Sequence, residues 1–193
     1  MPSIRDAQAD AVRERIVGAA LAVIASGREP TMRSVAAAAG ISERTIYRYY
    51  ASLDALREAF LPELRKRASA RLPDTAAELL DYARALFTTF DANQALVRAL
   101  VRSPWSGKYT SHTRPRNLGQ LQALIDEGFP DAPADTRRSA AAGLRVPLSG
   151  AGWVYLDDCG LSSDERIAHV QWLIRTVFEK LSASASTSGG SHA

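Results

Sequence analysis

With 193 residues, 46% of them hydrophobic and 23% charged, the chain has the balance of a globular protein, with room for one ordinary domain or a small one joined to a larger. That composition excludes a disordered chain, and no run of about eighteen apolar residues without a charge is present to suggest a membrane-spanning helix. Net charge is only +3, yet residues 1–71 hold twelve Lys+Arg against eight Asp+Glu and residues 72–193 hold twelve against thirteen, so the basic excess sits in the first third.

The first seventeen residues, MPSIRDAQADAVRERIV, lack the continuous apolar stretch of a secretory signal. A single cysteine, Cys159, excludes an intrachain disulfide framework and fits a reducing compartment. Both features lead to an expected cytoplasmic location. Only Lys66, Lys108 and Lys180 are lysines among 24 basic residues, and arginine is the side chain suited to bidentate recognition of phosphate and of guanine edges.

In chain order, helical periodicity dominates and no run of alternating β-branched residues interrupts it, so an all-α fold of about nine helices is predicted. A first helix spans roughly 6–26, with Val12, Ile16, Ala20 and Val23 on one face, and Gly27 ends it. Thr31 caps a short helix carrying Val35 and Ala36 inward, and Gly40 closes it. Ser42 caps a helix over 43–50, and Ser52 caps a longer one over 53–71 with Leu56, Phe60 and Leu64 on a repeat of four and Pro62 as a kink point. Pro73 marks a boundary.

Beyond it, Leu79, Tyr82, Ala83, Leu86 and Phe90 define an amphipathic helix, and 94–101 a shorter one. The stretch SPWSGKYTSHTRPRN, with two prolines and a glycine, reads as a loop or broken helix before a helix over 116–127. Another helix follows Pro133, meets Pro147 and resumes through 148–158. The last begins with Ser162 and Glu165 spaced as a capping box and carries Ile167, Val170, Ile174, Val177, Phe178 and Leu181 on one stripe. The tail over 183–193 is low-complexity and reads as disordered.

The two short helices around Gly40 hold the most informative constellation. A helix-turn-helix needs a small residue where the helices touch, here Ala36, a residue tolerant of left-handed geometry in the turn, here Gly40, and apolar flanks, here Val35, Ile41 and Ile46. Its second helix then projects Glu43, Arg44, Thr45, Tyr47, Arg48 and Tyr49 outward, a set suited to base edges and phosphate oxygens.

The run TMRSVAAAAGISERTIYRYYASLDAL resembles the DNA-binding domain of the TetR family of bacterial transcriptional regulators, with Ala36, Gly40, Thr45, Tyr47 and Leu56 in the family's pattern. The resemblance implies a three-helix DNA-binding domain over 1–52, a connecting helix over 53–72 and a larger helical ligand-binding and dimerisation domain over 73–182. It implies Arg44 and Arg48 on bases, Thr45, Tyr47 and Tyr49 on phosphates, Thr31 and Arg33 near the backbone or a base, and Ser42 as both cap and phosphate donor. Two departures stand out: Tyr50 replaces a common phenylalanine, and Leu53 a common lysine that binds phosphate.

In the second domain the resemblance implies a homodimer built from the two C-terminal helices, with Gly143, Gly150, Ile167, Val170, Ile174 and Val177 at the interface; intramolecular packing of the same faces is the alternative. Tyr82, Trp105, Tyr109 and Trp153 are the candidate lining of a pocket for an unknown, largely apolar or aromatic small-molecule effector. The function expected is a repressor released from palindromic double-stranded DNA by that effector. A DNA-binding dimer with a pocketless docking platform, or a cryptic enzyme, are the alternatives. No phosphate-binding loop, dinucleotide fingerprint, nucleophile elbow or HExxH occurs. Three histidines and one cysteine furnish no familiar zinc site, so neither cofactor, metal nor catalysis is expected. Asp157 and Asp158 read as solvated residues at a helix end.

Overall fold

A computed structural model describes the backbone of residues 4–67, 72–102 and 106–188, with the side chains of these except 4, 5, 65, 106–116, 187 and 188. Among the described residues there are ten α-helices and one 3-10 turn, with no strand. The chain divides into two compact units, one of residues 1–68 and 93–103, the other of 69–92 and 104–193.

In the first unit, α1 (Ile4–Ala25) buries Ile16, Ala20, Val23 and Ile24, the stripe a 3.6-residue period puts on one side. α2 (Met32–Ala39) packs against it with Met32, Val35, Ala36 and Ala39. α3 (Glu43–Tyr49) contributes only Ile46 to the core, and α4 (Leu53–Arg67) contributes Leu56, Phe60 and Leu64 and continues through Pro62. α6 (Gln94–Arg102) belongs here as well, packing on α1 through a unit whose core includes Leu96, Val97 and Leu100. The sequence separation between α1 and α6 hides that pairing, so a domain boundary at 73 places 94–101 with the larger domain.

The second unit is built on α5 (Leu79–Ala92), preceded by the 3-10 turn Ala76–Glu78, and on α10 (Ser163–Ser188), which pack against each other. α7 (Ser106–Gly128) packs on α8 (Ala134–Arg145), and α9 (Gly150–Asp158) lies against α5 and α10. α7 begins ten residues before the expected start at 116 and runs through Pro115; a proline inside a helix forfeits one backbone hydrogen bond and can kink the helix without ending it. α10 likewise extends through Ser188, seven residues beyond Leu181 into the segment read as a disordered tail. Its Ala–Ser alternation contains no glycine or proline before Gly189 to end the helix.

Three expected interface residues on α10 are internal instead: Ile167, Val170 and Ile174 are buried within the subunit, and Val177 is half-buried. The stripe therefore builds this unit's own core, the alternative left open by its periodicity. Gly152 has a similar internal duty, because a Cβ there would lie 2.5 Å from the Val146 carbonyl oxygen and 2.9 Å from that of Pro147. Gly143 is different: it is exposed, and a Cβ would meet open space. Gly150 is half-buried at the start of α9.

A polar cluster crosses this core. Arg166, 4% exposed, donates from Nη2 to Asp91 Oδ1 at 2.6 Å and from Nη1 to Asp157 Oδ1 at 2.5 Å and the Leu161 carbonyl at 2.6 Å. Asp91 also accepts from Trp153 Nε1 at 2.9 Å and from the Ser163 hydroxyl, while the guanidinium of Arg166 lies 5.2 Å from the Trp153 ring centroid. Asp157 is thus an internal partner, in place of the solvated role its position at a helix end suggested. Burial by itself would raise the Asp91 pKa, but the hydrogen bonds from Ser163, Trp153 and Arg166 and the Arg166 charge outweigh it and hold the carboxyl below its ordinary value.

Candidate nucleic-acid interface

The site grows from three local signals. Thr31 caps α2 by accepting from the Ser34 N–H at 3.0 Å, and Ser34 Oγ accepts from the Thr31 N–H at 2.9 Å in return. Gly40 adopts φ 64° and ψ 36°, a left-handed conformation that few side chains tolerate, and lets its own N–H and that of Ile41 reach back to the Ala36 carbonyl. Ser42 then starts α3 by accepting from the Thr45 N–H at 3.1 Å. Ile46, fully buried, fastens the new helix to the domain, leaving Arg44, Tyr47 and Arg48 exposed, with Tyr47 at 52%.

The outward groups differ in what they can still do. Among the described residues neither Arg44 nor Arg48 has a carboxylate partner, so both cations are open to phosphates or guanine edges. Ser42 Oγ and Thr45 Oγ1 are 2.9 Å apart; one hydroxyl proton closes that bond and the other remains to donate outward. Thr31 Oγ1, by contrast, already donates to Ser34 Oγ at 3.0 Å, so its observed work is capping. Arg33 on α2 is 88% exposed and pairs with Glu43 across the turn at 3.3 Å.

Tyr49 is half-buried between two guanidiniums, Arg48 at 5.2 Å and Arg13 at 5.7 Å from its ring centroid. Arg13 was not among the residues singled out by sequence, because it lies on α1 and only folding brings it to α3. Its charge also acts on Tyr50, whose pKa burial raises and Arg13 partly lowers. Tyr50 is half-buried at the end of α3, with its N–H donating to the Ile46 carbonyl. Leu53 begins α4, where the Ser52 hydroxyl accepts from the Ala55 N–H at 3.1 Å.

Residues 16–60 match the family model described as "Bacterial regulatory proteins, tetR family". That segment is similar to the TetR-family DNA-binding domain. The matched span runs from the core of α1, through the two helices and the Gly40 turn, into α4. Its all-helical fold is similar to the crystal structure of a TetR-like transcriptional regulator from Rhodococcus sp. RHA1, with a TM-score of 0.62 at 17% identity over 84% of this chain and 93% of that one. It is also similar to a TetR-family transcriptional regulator from Streptomyces coelicolor, with a TM-score of 0.59 at 23% identity over 91% and 84%. No curated protein sequence matches the chain. With both structures, the chain shares an all-helical fold.

The residues expected to line an effector pocket fare differently from one another. Trp153 is fully buried, with its indole N–H held by Asp91, so its one polar atom serves the Arg166 cluster. Tyr82 is half-buried, and burial raises its pKa against the lowering effect of Arg145. Trp105 lies outside the described residues, and Tyr109 sits on α7 with its side chain outside them. Among the described residues no group of three His, Cys, Asp or Glu side chains is arranged to hold a metal ion, and no helix is long and apolar enough to cross a membrane.

Proposed function

We propose that the protein is a homodimeric, sequence-specific transcriptional repressor that binds a palindromic operator and leaves it when a small molecule binds its second unit. The observation that carries this reading is the recognition helix itself: α3 is anchored through one buried residue, Ile46, and turns Arg44, Tyr47 and Arg48 to solvent on a TetR-family scaffold. Two such helices in a dimer would enter successive major grooves about 34 to 36 Å apart. Arg44 and Arg48 read base edges; Thr45, Tyr47, Tyr49 and Ser42 grip phosphates.

These roles separate experimentally. Arg44→Ala is expected to cost about 1 to 3 kcal/mol of operator affinity and to relax base preference at one position per half-site, whereas Tyr49→Phe weakens all sequences alike. Titrations against operator and scrambled duplexes check it; an Arg44→Ala protein with undiminished sequence preference would overturn the assignment.

Burial of Ile167, Val170 and Ile174 moves the proposed dimer surface to the opposite side of α10. Trp172 is 57% exposed there, on the helical face that also carries exposed Ala168 and Arg175, and Tyr155 on α9 is 69% exposed one turn from exposed Ala151. Trp172 and Tyr155 are the large exposed apolar side chains of α10 and α9 among the described residues, and two helices from each subunit can pair through them as a four-helix bundle. Gly143 remains a candidate at its edge. Trp172→Glu is expected to weaken dimerisation by about 2 kcal/mol or more, on the order of 30-fold, read by sedimentation, and to reduce operator binding with it. A variant that stays dimeric at the same concentration contradicts this surface.

For the effector, Tyr82 is the pocket residue that its placement favours: half-buried, with a polar hydroxyl on an otherwise apolar helix face and Arg145 in its field. A ligand that prefers the non-binding state lowers operator affinity by its differential affinity for the two states, commonly about 1 to 3 kcal/mol. Release of the operator complex by added small molecules is the test.

A further inference from the structure

Glu43 is a carboxylate where a DNA-binding surface has most reason to avoid one. It is the first residue of α3, its side chain is 45% exposed, and it stands among Arg33, Arg44 and Arg48 on a surface that must approach phosphates. In a helix-turn-helix the N-terminal residues of the second helix are those that contact base edges. A carboxylate brought there needs a hydrogen-bond donor on the nucleic acid, since it only accepts.

We infer that Glu43 is a specificity-determining residue that accepts a hydrogen bond from the exocyclic amine of a cytosine in each half-site, and that Arg33 is the positioning residue that holds its carboxylate for the purpose. This inference rests on the DNA-binding function proposed above. Arg33 Nε lies 3.3 Å from Glu43 Oε1, and an ionised carboxylate, with two oxygens that accept, has capacity for a further donor. In the major groove the donors are the amines of cytosine and adenine, and adenine sets its N7 acceptor beside the amine, where it repels a carboxylate; cytosine does not. At guanine or thymine Glu43 meets only acceptors, and at adenine a donor beside an acceptor, so it discriminates by repulsion as well as attraction. Holding Glu43 also orients Arg33, which is 88% exposed and reaches out from α2.

The test is selection of bound duplexes from a randomised pool by the full-length wild type and by Glu43→Gln, Glu43→Ala and Arg33→Ala. Both Glu43 substitutions are at an exposed side chain that contributes nothing to the core, so folding is retained. Wild type is expected to enrich a cytosine at one position per half-site, with substitution of that base lowering affinity about tenfold. Glu43→Gln and Glu43→Ala lose the preference at that position alone and bind scrambled DNA more tightly than wild type. Arg33→Ala weakens the same preference while leaving the others. An unchanged preference in both Glu43 variants overturns the inference and reduces Glu43 to a helix N-terminal charge; an unchanged preference in Arg33→Ala alone overturns the positioning role. A wild type that enriches no sequence overturns the DNA-binding reading, and this inference with it.

Discussion

Arg166→Met is expected to destabilise the second unit by about 3 to 5 kcal/mol, because it strands two mostly buried carboxylates, Asp91 and Asp157, with side chains 18% and 20% exposed. Methionine fills much of the same volume, so the loss reports the missing charge and donors more than a cavity. Arg166 joins α5, α9 and the start of α10 through these two carboxylates and the Leu161 carbonyl, so all three helices lose a common tie. The sign of the pH dependence follows from Asp91, whose folded pKa is depressed. Its contribution is complete above the ordinary value of 3.8 and is lost as the pH falls through the lower folded value. The gap between wild type and variant should therefore be full near neutrality and narrow in acid. Denaturant unfolding at several pH values measures it; a loss under about 1 kcal/mol at pH 7 would mean that the cluster is no stronger than a surface pair.

Ile46→Ala is the corresponding change in the first unit. Ile46 is fully buried and is the only core residue α3 supplies, so truncation is expected to cost about 2 to 5 kcal/mol. The consequence for function exceeds the consequence for the fold. Seven residues cannot hold a helix in water on their own, so without its anchor α3 frays while the rest of the unit keeps the packing of α1 with α2 and α4. Amide exchange should show lost protection confined to residues near 43–49, DNA affinity should fall steeply, and the association state in solution should be unaffected. Uniform loss of protection through α1 would show instead that α3 and the whole unit unfold together.

The helix-turn-helix was legible in sequence because its signals are local: Thr31, Gly40 and Ser42 each act within four residues of themselves, and the capping bonds and the left-handed turn fall where those residues stand. The apolar stripe of α10 was legible as a stripe, but periodicity states that a face is covered without stating by what. Ile167, Val170 and Ile174 are covered by their own subunit, and Trp172, placed between them in sequence and outside them in space, is the exposed member of the helix. Arg13 beside Tyr49, and Arg166 beside Asp91, are pairings across 36 and 75 residues. No spacing rule reaches that far, so the sequence alone does not bring Arg13 to Tyr49 or tie the Trp153 indole to Asp91. The continuation of α7 through Pro115 was hidden for a different reason: the local propensity of a proline argues against it.

Nuclease footprinting of the full-length protein on the DNA flanking its own gene tests the central claim most directly. Two protected half-sites of related, inverted sequence are expected, their centres one helical turn or a multiple of it apart, about 10 to 10.5 base pairs per turn, with protection lost in Ile46→Ala. Protection that follows no sequence, on this DNA or on any fragment recovered from a genomic pool, would contradict it.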